Sequence, residues 1–171
     1  SLSDQFTVNG NLHPSIGEVV EKCLIKVGKL PKKVAFMHGD LCFSNILYDS
    51  RANNIKLIDP RGGVHFCDVK YDLAKLSHSV TGGYDFIVSG RFKLNEIDSK
   101  NFELDIDMEE KHKEIAGIFE QLEVCDGLFL RDVRPLVILL FLSMLPLHYD
   151  DEVRQQALFI NALKLYTEWR L

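Results

Sequence analysis

Two aspartates and an asparagine stand at spacings that suit phosphoryl transfer to a hydroxyl. They lie in His38-Gly39-Asp40-Leu41-Cys42-Phe43-Ser44-Asn45 and in Ile55-Lys56-Leu57-Ile58-Asp59. Such a transfer needs a carboxylate that orients the attacking hydroxyl and accepts its proton. It also needs oxygen ligands that hold Mg²⁺ against the nucleotide phosphates. Asp40 and Asn45 are separated by four residues of one loop. The acid can therefore face the acceptor while the amide oxygen at the far end reaches the metal. Asp59 closes the second of two β-like runs and would return beside Asn45 as the anionic metal ligand.

The elements that must position these residues are legible in outline. Val34 to Met37 is a short apolar approach to the loop. Asn45 to Tyr48 and Ile55 to Ile58 read as a hairpin joined by the polar linker Asp49 to Asn54. Before it, Pro14 to Gly28 sets Ile16, Val19, Val20, Cys23, Leu24 and Val27 on one helical stripe. His13-Pro14 suits its first turn, and Gly28 its end. Asp68 to Val80 reads as a helix stopped by Thr81-Gly82-Gly83. Tyr84 to Val88 and Phe102 to Ile106 alternate as strands do around a polar turn. Helices are then expected over Met108 to Cys125, Val133 to Leu145 and Asp151 to Trp169, with Asp107 and Asp150 as caps and Pro135 in a first turn. Leu136 to Leu145 is apolar on every side and should be the central core helix. The expectation is a single domain over residues 1–171, mainly α (α+β), with a small hairpin carrying the chemistry.

The same residues carry a family likeness. His38, Gly39, Asp40 and Asn45 meet the pattern H-G-D-x-x-x-x-N, and Ile58-Asp59 meets the I-D pattern that corresponds to a protein kinase's D-F-G. With the run Asp59-Pro60-Arg61-Gly62 and the later Tyr71-Asp72-Leu73-Ala74, the chain resembles the aminoglycoside phosphotransferase and choline kinase branch of the protein-kinase-like fold. The wording of the segment most resembles members linked to capsule and surface-sugar biosynthesis. The resemblance covers Pro14 to Val80 well and the C-terminal helices only generally. It implies an ATP-dependent (or other nucleoside triphosphate-dependent) phosphotransferase using Mg²⁺, with Asp40 as the catalytic base. Asn45 and Asp59 would hold metal and nucleotide, while Asp72 and His38 would brace the loop without doing chemistry. The implied acceptor is a hydroxyl of a sugar, an amino sugar or a choline-like alcohol. Cys42 departs from the pattern, since relatives often carry His or Lys there to meet the transferred phosphate. Such an enzyme also needs an N-terminal lobe with a glycine-rich turn and a phosphate-pairing Lys. The 37 residues before His38 contain a helix but no GxGxxG and no V-A-I-K-like strand, so the chain is expected to be the C-terminal lobe alone. A non-catalytic kinase-like binding module is the alternative, and a plain helical interaction domain a more distant one.

Composition sets the outer bounds. With 171 residues, 46% hydrophobic and 26% charged, the chain reads as an ordinary globular domain with a sizeable core. Its 20 basic and 25 acidic residues leave a net charge of −5 and no basic stripe, which argues against nucleic acid. Leu136 to Leu145 is too short to span a bilayer. Four separated cysteines without a CxxC pair read as reduced thiols, which with the absence of a leader points to the cytoplasm. Ser1-Leu2 without a Met reads as a cut end. His65-Phe66-Cys67 beside Asp68 lacks zinc spacing and is expected to pack. The nine acidic residues between Asn101 and Asp126 read chiefly as a solvated face, the sharper reading being a surface that attracts a cationic acceptor. Tyr166 and Trp169 are expected in the core.

Overall fold

The computed structural model describes residues 2–61 and 66–171. In chain order it runs β1 (Phe6–Val8), β2 (Asn11–His13), α1 (Ile16–Lys29), β3 (Val34–Phe36), a 3₁₀ turn (Phe43–Asn45), β4 (Ile46–Asp49), β5 (Asn54–Leu57), β6 (Phe66–Asp68), α2 (Lys70–Val80), α3 (Tyr84–Val88), β7 (Phe92–Asp98), β8 (Asn101–Ile106), α4 (Glu110–Glu120), β9 (Glu123–Cys125), β10 (Leu128–Phe129), α5 (Arg134–Met144) and α6 (Glu152–Glu168). The fold is α+β, with a helical core and small sheets around it.

Helix α5 is the centre. It packs on α1, α2 and α6, and Val137, Ile138 and Phe141 have no exposed surface. A helix apolar nearly all round must be enclosed, and this one is over most of its length, opening at Ser143 where it meets a cavity. Helix α6 starts where the Asp151 side chain accepts the Arg154 N–H at 2.9 Å, one residue beyond the expected cap. Tyr166 is buried in it, whereas Trp169 is partly buried under Arg134, whose guanidinium lies 5.3 Å from the ring centre. Helix α1 opens with a capping box: Ser15 Oγ accepts the Glu18 N–H, and Glu18 Oε2 accepts the Ser15 N–H at 3.0 Å. Gly28 lies inside this helix and His13 in β2, so neither marks an end.

Tyr84 to Val88 is a helical turn, not a strand. Gly83 takes φ +71, and the Ile87 N–H returns to the Gly83 carbonyl. Five alternating residues fit a strand and a single turn equally well, and here the left-handed glycine decides. The strand that pairs with β8 is instead β7, through a turn at Asp98–Asn101. Helix α4 ends at Glu120, short of Cys125, which belongs to β9. Asp107 caps nothing; it pairs with Arg91 at 2.9 Å.

The N-terminal hairpin β1–β2 extends the β7–β8 sheet, with β1 parallel to β8 (Val8 opposite Phe102). Asn9, at φ 49, continues that pairing with its side chain. Its Oδ1 accepts the Leu104 N–H at 2.8 Å, and its Nδ2 donates to the Leu104 carbonyl at 3.0 Å. Above the helices, β3 pairs with β6 and β4 with β5, each antiparallel, and these two ribbons carry the loops of interest. All four cysteines are free thiols: Cys23 and Cys42 are buried, Cys125 is partly buried and Cys67 is exposed. Burial pushes the Cys23 thiol up to about 11, so it packs as a neutral group. No described helix is long and apolar enough to cross a membrane.

Candidate functional site

The loop between β3 and β4 is fixed from below by one buried side chain. Asp72, in the first turn of α2, accepts the His38 N–H at 2.6 Å and the Gly39 N–H at 2.9 Å. Two consecutive amide donors on one carboxylate leave the loop a single way to sit. His38 ties it sideways. Its Nδ1 accepts the Asp40 N–H at 3.3 Å, so its Nε2 carries the proton and donates to the Ile58 carbonyl at 2.8 Å. The Arg61 N–H returns to the His38 carbonyl at 2.8 Å. Gly39 adopts φ +80, and a Cβ there would meet the Arg61 Cβ at 3.0 Å. Glycine is therefore required on two counts, backbone angle and space.

On this frame Asp40 and Asn45 come together. Asn45 is buried, and its Nδ2 donates to the Asp40 carbonyl at 2.8 Å and lies 3.5 Å from the Asp40 carboxylate. With the amide nitrogen committed to the loop, Oδ1 is the atom left for a ligand. The β4–β5 hairpin then returns the chain: the Ile58 N–H donates to the Asn45 carbonyl at 3.0 Å, and Asp59 follows at once. Asp59 is exposed and holds φ 53, a left-handed angle that Asp tolerates better than most residues. The hairpin thus brings the backbone just before Asp59 against Asn45 and leaves Asp59 exposed. An amide oxygen and a carboxylate form a hard-oxygen pair that suits Mg²⁺ when phosphate oxygens supply further ligands. Among the described residues no group of three or more His, Cys, Asp or Glu side chains could hold a metal by itself. His65 lies outside the described residues.

Sequence reasoning missed Lys75. Its ammonium pairs with Asp40 Oδ1 at 2.8 Å, and its side chain is 8% exposed against 29% for the carboxylate. The signal was present: Lys75 follows Asp72 by three residues, on the same face of a helix that also buries Lys70, Ser77, His78 and Ser79. These polar groups lie all round the helix and most have local partners: Lys70 bonds to Asp68 and the Pro31 carbonyl, Ser77 to the Leu73 carbonyl, and Ser79 accepts the Phe43 N–H. Cys42, the departure from the family pattern, is buried with Sγ 3.2 Å from Ser44 Oγ.

Beside Asp40 opens a cavity of about 390 Å³, into which Cys42, Ser44, Arg61, Lys75 and Tyr84 also face. Its far wall is Leu140, Ser143, Met144, Leu147 and His148 from the end of α5 and the turn beyond. Tyr84 and His148 share a hydrogen bond of 3.3 Å. Burial, then the nearby acids Asp85 and Asp40 and the Cys42 thiol, push the Tyr84 hydroxyl up to about 12, so it remains protonated. Burial, then Arg154, pull His148 down and keep it neutral. Beneath them His78 is fully buried between Tyr84 (4.1 Å) and Phe141 (4.2 Å), with neither ring nitrogen bonded. A larger depression of about 680 Å³ between Glu96 and α6 holds none of the candidate residues.

Compared with known proteins, the chain matches no family model, no curated protein and no solved structure.

Proposed function

We propose that the chain is the C-terminal lobe of a nucleotide-dependent phosphotransferase acting on a hydroxyl of a small molecule. One observation carries the reading. A braced loop sets the buried Asn45 amide against Asp40, whose carboxylate lines a cavity, and an exposed carboxylate (Asp59) follows the adjoining hairpin. The acceptor oxygen bonds to the γ-phosphorus while the bond to the β-phosphate oxygen breaks, releasing the diphosphate. Asp40 takes the hydroxyl proton. Asn45 and Asp59 would hold Mg²⁺, which supplies charge neutralisation on the phosphates. The acceptor occupies the cavity, where Tyr84, Ser44 and Ser143 offer hydroxyls for orientation. Capsule or surface-polysaccharide synthesis in the cytoplasm is the setting the sequence likeness suggests.

An N-terminal lobe covering the two upper ribbons belongs to the same proposal. Val34, Phe36 and Phe66 on β3–β6, and Leu47, Ile55 and Leu57 on β4–β5, are each at least half exposed. Phe36 and Phe66 pack edge to face at 5.9 Å across the strands, a ready-made apolar seat. The non-catalytic module is the second reading, and the Lys75 ion pair favours it, because Asp40 already has a partner.

Substitutions in the complete polypeptide separate the two. Asp40→Asn should cost on the order of 10²–10³ in turnover with nucleotide affinity nearly unchanged. Asp59→Asn should weaken Mg²⁺-nucleotide binding as well as turnover. Equal, mild losses at both positions favour the binding module.

A further inference from the structure

The charges lining the cavity beside Asp40 select among acceptors. Among the described residues that line it, the formal charges are Arg61 and Lys75 against Asp40, a net charge of +1. The single acid is already neutralised by Lys75 at 2.8 Å. The Arg61 guanidinium bonds to no described residue; only its backbone N–H is used, on His38. Arg61 is exposed on the rim of this cavity and of a smaller one beside Met37 and Asp68. A guanidinium without a partner among the described residues is a fork of donors shaped for a carboxylate or a phosphate. A cationic acceptor would meet the opposite: a net like charge and no free acid on the lining. The acidic residues between Asn101 and Asp126 offer it no help. None lines the cavity, and Asp107, Glu109, Glu110, Glu120 and Asp126 are spent on ion pairs with Arg91, Lys111, Lys113, Arg134 and Lys33.

Size and polarity narrow the class further. About 390 Å³ accommodates a sugar-sized molecule. Leu140, Met144 and Leu147 form an apolar wall for a ring face, while Ser44, Ser143 and Tyr84 meet hydroxyls. We propose that the acceptor is a hydroxylated anion, a sugar or polyol carrying a carboxylate or a phosphate ester, with its charge on Arg61 and its reactive hydroxyl at Asp40. The assignment rests on the phosphotransferase reading for the word acceptor, but the binding preference stands apart from it. Lys75 has a defined part here. By neutralising Asp40 it leaves the cavity net positive with the base in place.

The test is binding to the 171-residue chain without nucleotide, followed by methyl NMR at Leu140, Met144 and Leu147. Glucuronate and glucose 6-phosphate represent the two anion sources, with glucose, glucosamine and choline as comparisons. At least one anion should shift these methyls at lower concentration than glucose, while glucosamine and choline leave them in place. Arg61→Gln should weaken the anion on the order of ten- to hundredfold and leave glucose unchanged. The phosphate ester binding alone assigns the site to sugar phosphates, and glucuronate alone to sugar acids. Equal or tighter binding of glucosamine or choline overturns the proposal. So does an anion affinity indifferent to Arg61→Gln, or no anion binding at all. Phosphoryl transfer from Mg²⁺-ATP in the complete polypeptide is scored separately, so failure there with intact anion preference removes the chemistry and keeps the binding site.

Discussion

The α5–α6 core and the β4–β5 hairpin are built from the same kinds of residue and held by opposite means. Val137, Ile138, Phe141, Leu158, Ile160 and Leu163 are wholly buried. Leu47, Tyr48, Ile55 and Leu57 are 50–63% exposed. The core is held chiefly by its own apolar surface, with the buried Asn161 donating to the Gly82 carbonyl at 2.8 Å. The upper loops keep their shape through polar bonds: Asp72 to two amides, His38 to Ile58, Asn45 to Asp40, and Arg61 to His38. Hydrogen bonds fix direction where apolar burial fixes only proximity. The groups proposed to meet a ligand are therefore held by hydrogen bonds, on a platform supplied by apolar burial.

Stability measurements should separate the two regions. Phe141→Ala, at the centre of α5, should destabilise the chain by about 3–5 kcal/mol in urea unfolding. Leu47→Ser on the exposed hairpin should stay within about 0.5 kcal/mol of wild type. A hairpin loss as large as the core loss would mean that the upper ribbons are packed in solution by something other than the described surface.

A smaller and more local effect is expected at the joint between the regions. Asp72→Ala strands the His38 and Gly39 amides below the loop and should cost about 2–4 kcal/mol. Hydrogen exchange should show those two amides losing protection while the α5 and α6 amides keep theirs. Uniform loss of protection through the core would contradict the division of labour.

Per group, the pH dependence should be smaller still. Burial lowers His78, His13 and His148 below the ordinary value of 6.5. The unfolded chain then takes up protons that the folded chain refuses, so stability is full above pH 6.5 and falls as the pH drops below it. Each such histidine contributes up to about 1.4 kcal/mol per pH unit. His78→Phe should flatten that slope, because the ring keeps its place between Tyr84 and Phe141 without a proton to gain. A slope unchanged by His78→Phe would assign it to the other two histidines.

How much of this could be read from the chain differs by region, for physical reasons. The loop and hairpin were legible because turn chemistry and strand runs are local, and the distance from His38 to Asp59 is set by a few residues. Helices α1, α2, α5 and α6 were legible through periodicity, although ends slipped where a cap sat one residue on, as at Asp151. Strands β1 and β2 were not legible. Three residues each carry no pattern, and β1 is ordered by β8, almost a hundred residues away. Lys75 escaped because its partner Asp40 is distant in sequence; only the excess of polar residues on a buried helix hinted at it. Arg61 was visible in the Asp59-Pro60-Arg61-Gly62 run, but its place on the cavity wall depends on how the loop folds back over Gly39.

The proposed transfer itself is tested most directly by looking for its product. The complete polypeptide would be incubated with Mg²⁺-ATP and a panel of sugars, sugar acids, sugar phosphates, amino sugars and choline. Mass spectrometry then scores a phosphoryl group added to a hydroxyl, in wild type and in Asp40→Asn. The account predicts a phosphorylated acceptor from wild type and a loss on the order of 10²–10³ in the variant. An Asp40→Asn protein that forms product at the wild-type rate, or a wild type that phosphorylates none of these alcohols, would contradict it.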